Sequence, residues 1–343
     1  MMKRPTIPDL AKAAGVSIST VNRVINEADK VRQPTRERVM AAAEEIGFYG
    51  LGAIQHSVSL GRRTYTLGII LQSKSRRFYR KLGEAIEQAA HQTATANVEL
   101  QIEYLEDNSA DLVATKIKQL CKTCDAIGVV AAEHPIVSSA IDDALDQGIP
   151  VCALIGPVSA RGNVGFVGLD NFKKGRMAAW TFDKLIREPG KIGILVGNNR
   201  FRNQDINESG FRSYFREHNA NFTLLEPLAT YESAAVAREM TEKLFHDHPD
   251  LCGLFVSGGG ITGALAALKD VKRRPDFVTV GYELFDATRA ALIDGRMTMA
   301  LCHPMDGFAQ AIVQTLVRSS DMGPNAGAQS VTLEFEVYTS ENV

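Results

Sequence analysis

The sequence predicts an α/β protein that carries a separate all-α head, and three observations point there. Residues 6–47 read as three short helices around a small core. From Thr66 onward, short β-rich runs alternate with helical patterns, which implies parallel sheets covered by helices on both faces. The alternation comes in two consecutive sets, each long enough for its own core, so two similar lobes are expected. With 343 residues, 45% hydrophobic and 23% charged, the chain has the composition of a globular protein rather than a disordered or fibrous one.

The first helix is expected to start at Thr6-Ile7-Pro8-Asp9, where a hydroxyl stands three residues before a carboxylate and proline falls in the first turn, where its missing N–H is harmless. It carries Leu10, Ala11 and Ala14 inward and stops at Gly15, the residue best suited to the left-handed conformation that ends a helix. Ser17 caps a second helix. There Val21, Val24 and Ile25 share one face, while Ile18, Ser19, Asn22, Arg23 and Asn26 share the other, a largely polar surface that can donate and accept hydrogen bonds. Pro34-Thr35-Arg36 opens a third helix with Val39, Ala42, Ala43 and Ile46 inward, closed by Gly47. Two helices joined by a tight glycine turn, with a third closing the core, is the geometry that lays a recognition helix in a DNA major groove.

The run TIPDLAKAAGVSISTVNRVINEADKVRQPTRERVMAAAEEIGF resembles the head of the LacI/GalR family of bacterial transcription regulators in order, spacing and residue type. The resemblance implies that Ile18, Ser19, Asn22 and Arg23 face base edges, Arg23 being able to reach a guanine through two parallel hydrogen bonds. Ser17, Asn26 and Thr35 would lie nearer phosphates, which position a protein without reading sequence, and Thr6 joins this DNA-facing set. In that family a short hinge helix follows and wedges an apolar side chain into the minor groove. Here the stretch GAIQHSVSLGRRT departs from the usual pattern and places Ser59 at the wedge; Ile54, Val58 or Leu60 could serve instead, since inserting between base steps needs apolar bulk. Arg62 and Arg63 could attract phosphates or be ordinary linker charges.

The β-rich runs of the body are TLGIIL, VELQI, AIGVV, IPVCAL and VGFVG, then KIGILV, FTLLE, LCGLFVS, FVTVG and MTMALC. In open α/β sheets ligands bind beyond the carboxyl ends of the strands, so two facing lobes make a cleft there and hinge closure around a solute is the natural motion. This half resembles the periplasmic-binding-protein-like (type I) sensor of the same family, two doubly wound parallel-sheet lobes between which the chain crosses three times. The implied organisation is a helix-turn-helix domain at 1–50, a hinge helix or linker at 51–64, and an effector-binding and dimerisation domain at 65–343. Lobe 1 would take about 65–168 and 297–325, with MTMALC and its following helix. Lobe 2 would take about 169–296 and 326–343.

The resemblance also suggests ligand positions. Phe78 and Tyr79 follow the first strand where the family often has an aromatic; rings can stack on a sugar or base, and both could equally be helix core. Asp170 and Asn171 in VGLDN match a recurring pair at the entry to the second lobe, and Tyr231 stands near a position that often carries an aromatic floor. Glu283 in VGYEL falls where relatives commonly have an aspartate that accepts hydrogen bonds from two hydroxyls. In NRFRNQDINESGF many relatives have a ligand-binding arginine where this chain has Asn207; either Arg200 or Arg202 supplies the missing guanidinium or the ligand class is different. Gly258-Gly259-Gly260, directly after LCGLFVS, could expose backbone N–H groups to a ligand, or be only a tight strand-to-helix turn.

Charge is uneven along the chain. Residues 1–63 hold ten Lys/Arg against six Asp/Glu, a balance of +4, whereas the remainder holds 28 against 34, a balance of −6, which suits a polyanion partner for the head alone. Five cysteines, an odd count, argue against a disulfide framework, and the Cys121/Cys124 pair ends an apolar helix pattern without a second ligand pair. His246-Asp247-His248 reads as a polar helix end. No apolar run approaches a bilayer span and the start lacks the centre of a secretory signal, so a cytoplasmic location is expected, with no membrane association. No nucleophile elbow, paired metal-ligand motif, P-loop or GxGxxG is present, so neither catalytic residues nor a metal or cofactor is expected.

Together these features predict a homodimeric DNA-binding regulator, a repressor, whose operator affinity responds to a small sugar, sugar derivative or polyol. The alternative is a cytoplasmic small-molecule binding protein, or an enzyme, on the same two-lobed fold. A dimer rather than a tetramer is expected because the tail SSDMGPNAGAQSVTLEFEVYTSENV has no apolar heptads.

Overall fold

A computed structural model describes residues 4–60, 62–107, 109–198, 200–218, 221–323 and 327–343. The chain divides into two compact units: one runs to Tyr65 and takes in Ala90–Glu99, and the other comprises Thr66–Ala89 and Leu100–Val343.

The head contains α1 (Ile7–Ala13), α2 (Ile18–Asn26), a 3-10 turn (Ala28–Lys30), α3 (Gln33–Glu45) and α4 (Leu51–Leu60). At the start of α1 the Asp9 carboxylate accepts hydrogen bonds from both the backbone N–H (2.8 Å) and the hydroxyl (2.6 Å) of Thr6. Gly15 and Gly47 both take φ of +63°, the left-handed conformation in which a Cβ is strained, so each helix ends where glycine permits the turn. Leu10, Val21, Val24, Val39, Ala43 and Ile54 form the fully buried centre of this unit.

That last residue corrects an expectation. Ile54 was a candidate for the minor groove, but it is wholly buried in the head core, where α4 packs against α2 and α3. The backbone of Val58 lies in α4, but its side chain, like those of Ser59 and Leu60, lies outside the described part of the structure.

The body starts with β1 (Thr64–Gln72), α5 (Arg77–Gln92), β2 (Asn97–Leu105), α6 (Ala110–Leu120), β3 (Ala126–Val129), α7 (Pro135–Asp146), β4 (Val151–Ile155) and β5 (Gly165–Leu169). It continues with α8 (Asn171–Leu185), β6 (Lys191–Val196), α9 (Arg202–His218), β7 (Thr223–Leu224), β8 (Leu228–Ala229), α10 (Ala234–Asp247) and β9 (Leu251–Val256). Then follow α11 (Ile261–Asp270), β10 (Val278–Tyr282), α12 (Asp286–Ile293), β11 (Met299–Cys302), α13 (Met305–Met322), β12 (Ser330–Leu333) and β13 (Glu336–Tyr338). The strands make two sheets, ordered β12-β5-β4-β3-β1-β2 and β13-β11-β10-β9-β6-β7, with β8 also beside β6. The central strands are parallel and fully buried, for instance β3 beside β4 with Gly128 opposite Cys152, as expected for sheets with helices on both faces.

The chain does pass between the sheets three times, but later than the sequence suggested. MTMALC does not return to the first lobe: β11 stays in the second sheet with Met299 opposite Val280, and only α13 goes back, to pack on β3, β4 and β5. The strand β12 then joins β5 of the first sheet, and β13 returns antiparallel to β11. The expected boundaries near 297 and 326 therefore move to the stretches after Cys302 and after Leu333. A short run buried on both faces has no alternation to mark its partner, so its sheet is set by packing and not by its own pattern.

Packing in the second lobe requires glycine at the crossing of α8 and α9. A Cβ on Gly175 would collide with the carbonyl oxygen of Asn207, and one on Gly210 with that of Phe172, both rigid backbone atoms. Around the crossing Phe211 stacks on Phe255 at 4.3 Å and meets Phe182 edge-on at 5.4 Å. Gly175→Ala is expected to destabilise the body by about 1–3 kcal/mol through this overpacking, read as a lower urea midpoint at unchanged slope.

Candidate functional site

Two surfaces carry the residues singled out in the sequence. On the head, Val21 and Val24 anchor α2 in the core, and period 3.6 then turns Ile18, Ser19, Asn22, Arg23 and Asn26 outward, all exposed. Ile18 is 50% exposed and shares this outer face with the polar residues. Ser17 Oγ accepts from the Thr20 N–H at 3.1 Å and so caps α2, while Asn26 Nδ2 donates to the Asn22 carbonyl at 3.0 Å. Arg23 has no carboxylate or carbonyl partner among the described residues, which leaves its guanidinium free to meet something else. Thr35 is half-buried at the start of α3.

In the body, a cavity of roughly 370 Å³ lies between the lobes. It is lined from the carboxyl ends of parallel strands: Phe78 and Tyr79 follow β1, Ile155 ends β4, Gly258 and Gly259 follow β9, Glu283 follows β10 and His303 follows β11. Among the described residues, four non-glycine residues have left-handed φ, and three of them line this cavity: Ile155 (+70°), Glu232 (+63°) and Glu283 (+66°). For a β-branched isoleucine that conformation is costly, and such strain persists only where surrounding structure enforces it, commonly at ligand sites.

The lobes meet through charge. Arg76 Nη1 donates to Glu232 Oε2 at 2.9 Å, and Arg77 Nη1 to Asp286 Oδ2 at 2.6 Å, each pair joining the segment after β1 to the second lobe. Glu232 Oε1 also accepts from Gln204 Nε2 at 2.7 Å. At the glycine turn, a Cβ on Gly259 would collide with the Glu232 carboxylate and one on Gly258 with the Gln204 side chain, so this turn is closed over by the protein's own groups.

Deeper in the cavity, His303 Nδ1 lies 2.6 Å from Glu283 Oε1. A carboxylate only accepts, so Nδ1 carries the proton, and Nε2, buried and without a partner, is an acceptor in the neutral ring. Asn207 Oδ1 is likewise buried without a partner. The Lys174 ammonium lies 4.0 Å from the centre of the Tyr282 ring. Burial pushes the Lys174 ammonium below its ordinary pKa against the pull of Glu283, and burial lowers that of His303 against the same carboxylate. Burial raises the phenols of Tyr79 and Tyr282.

The buried imidazole gives a pH prediction. Because the folded pKa of His303 lies below its ordinary 6.5, the unfolded chain binds more protons once pH falls beneath that value. Stability is therefore full above about pH 6.5 and lost as pH falls toward the folded pKa, at up to about 1.4 kcal/mol per pH unit for this one group. Melting temperatures from pH 8 to 5 are expected to fall less steeply in His303→Gln than in the native sequence; equal slopes would contradict the assignment.

Of the residues proposed from sequence, the cavity gathers Phe78, Tyr79, Asn207, Gly258, Gly259 and Glu283. Asp170, Arg202 and Tyr231 are not among its lining residues. Asp170 Oδ1 instead accepts from the Lys173 N–H at 3.0 Å and caps α8, Arg202 Nη1 donates to Ser159 Oγ at 2.9 Å, and Tyr231 is 73% exposed. Arg200 is not in the lining either. Sequence reasoning missed Lys174, Glu232 and His303. Lys174 is the second of a Lys–Lys pair and reads as a solvated helix face, while Glu232 is fixed by a loop conformation. His303, directly after an apolar strand, could have been found by the strand-end rule.

Residues 67–323 match the family model described as periplasmic binding protein domain, and residues 6–50 match that of bacterial regulatory proteins, lacI family. The chain is 26% identical over 324 residues to the sucrose operon repressor of Streptococcus mutans, covering 92% of each. It is 26% identical over 214 residues to the HTH-type transcriptional regulator DegA of Bacillus subtilis, covering 62% of this chain and 61% of that protein. Among solved structures, GanP, a glucose-galactose binding protein from Geobacillus stearothermophilus, superposes with a TM-score of 0.74 at 15% identity, covering 82% of this chain and 99% of that one, a likeness of fold. By its body the chain belongs to the periplasmic binding protein domain family, and its head, residues 6–50, is a lacI-family helix-turn-helix domain.

Proposed function

We propose that this protein is a homodimeric, sequence-specific operator-binding regulator, a repressor, whose DNA affinity is set by a small sugar, sugar derivative or polyol held between the lobes. The observation that carries the reading is the outer face of α2: Ile18, Ser19, Asn22 and Arg23 stand exposed on a well-packed three-helix core, with Arg23 uncommitted. Two such heads related by a two-fold axis suit a pseudo-palindromic site. The sucrose operon repressor, matched over 92% of its length, supports a sugar-type effector. Effector and operator would share one coupling free energy, each altering the affinity of the other by the same factor. No helix among the described residues is long and apolar enough to cross a membrane, and the reading places the protein in the cytoplasm with its DNA. It assigns no catalytic residue and no cofactor.

The test is a gel-shift titration with DNA from upstream of the protein's own gene against a shuffled duplex of equal length, at several salt concentrations. A preference of at least about 10³-fold for the upstream site is expected, with affinity falling as salt rises. Equal binding to both duplexes, or a sedimentation mass other than two chains, would count against the operator reading or the dimer respectively.

A further inference from the structure

Lys174 is placed where the fold alone gives a cation little support. It is 4% exposed, it lies in the first turn of α8, where the helix end favours negative and not positive charge, and no carboxylate lies within ion-pair distance among the described residues. Its contact is the face of the Tyr282 ring at 4.0 Å. The other cations at the cavity are engaged, Arg76 by Glu232 and Arg77 by Asp286. Also in the lining are the partnerless Asn207 Oδ1 and His303 Nε2, and the Glu283 carboxylate held by His303.

We propose that the ligand is a polyhydroxylated monocarboxylic acid, a sugar acid and not a neutral sugar, and that Lys174 receives its carboxylate. This rests on the effector reading above and narrows it. The acceptors Glu283 and His303 Nε2 take ligand hydroxyl protons, which fixes the polyol part. The ammonium takes the anion, which gives the buried cation the opposite charge it lacks. A single uncommitted cation matches a single negative charge. A phosphate would need more, and the glycine turn that heads α11, the usual kind of place for one, is already closed over by the Glu232 carboxylate.

Isothermal titration of the full chain with D-gluconate, D-galacturonate, D-glucose, D-galactose and glucose 6-phosphate tests this. At least one acid is expected to bind ten-fold or more tighter than its neutral counterpart, as a charged hydrogen bond in a dry site provides. Lys174→Met, which keeps the aliphatic stem, is expected to lose that advantage. It should also melt at a higher temperature than the native sequence when ligand is absent, because a desolvated charge has been removed. Tighter binding of a neutral sugar or of the phosphate, with operator binding intact, overturns the proposal and leaves the regulator reading standing. Acid affinity unchanged in Lys174→Met also overturns it. If none of the five compounds binds while the operator shift persists, both the sugar-acid proposal and the sugar-type effector fail.

Discussion

Arg23→Ala is expected to weaken operator binding by about thirty-fold to 10⁴-fold while leaving binding to shuffled DNA almost unchanged. A bidentate arginine–guanine contact is worth roughly 1–3 kcal/mol of discrimination, and in a dimer the loss is counted in both heads. The side chain is exposed and has no partner among the described residues, so its removal leaves the head core of Leu10, Val21, Val24 and Val39 intact and the effect is confined to recognition. Arg23→Lys separates charge from geometry: it keeps the cation but loses the planar fork, so affinity for the shuffled duplex is retained while preference for the operator drops. Parallel loss of affinity for both duplexes would mean that Arg23 contacts phosphate and that the specific contacts lie elsewhere on α2.

The head was legible from sequence because each local signal agreed with the others. Glycines at the two left-handed positions, the Thr6–Asp9 and Ser17 caps and the two faces of α2 are all decided within a few residues, and the structure has them where the pattern placed them. Ile54 was the exception, since an aliphatic residue in a hinge can turn toward DNA or toward the core, and only packing decides. In the body the alternation of strands and helices revealed the two sheets but not the sheet to which β11 belongs, which depends on a register between segments far apart in sequence.

The cavity divides in the same way. Gly258 was placed by its position directly after a strand, and Phe78 and Glu283 by the family resemblance, whereas Asp170 and Arg202 are engaged elsewhere, in a helix cap and a cross-lobe hydrogen bond. The most informative residue, Lys174, carries no signal of its own. A lysine in a run of two becomes unusual only when the tertiary structure buries it beside Tyr282.

Glu283→Ala carries the second large effect. The Glu283 carboxylate accepts from His303 Nδ1 at 2.6 Å and is the negative charge that most opposes the lowering of the pKa of both His303 and Lys174. Its removal takes away a hydroxyl acceptor and leaves a buried imidazole N–H without a partner, which costs about 1–3 kcal/mol on its own. Effector affinity is expected to fall by about 10²-fold or more, since a polyol that meets one carboxylate with two hydroxyls loses both charge-assisted bonds. Alanine retains the left-handed φ of +66°, so relief of backbone strain does not mask the loss. Operator binding without effector should be unchanged, and effector should no longer alter it, because coupling requires a differential interaction at the second site. Glu283→Gln preserves an acceptor for His303 without the charge and should restore stability before it restores affinity. Full effector response in Glu283→Ala would remove this residue from the binding site and, with it, the argument that strained backbone at the strand ends marks where the ligand is held.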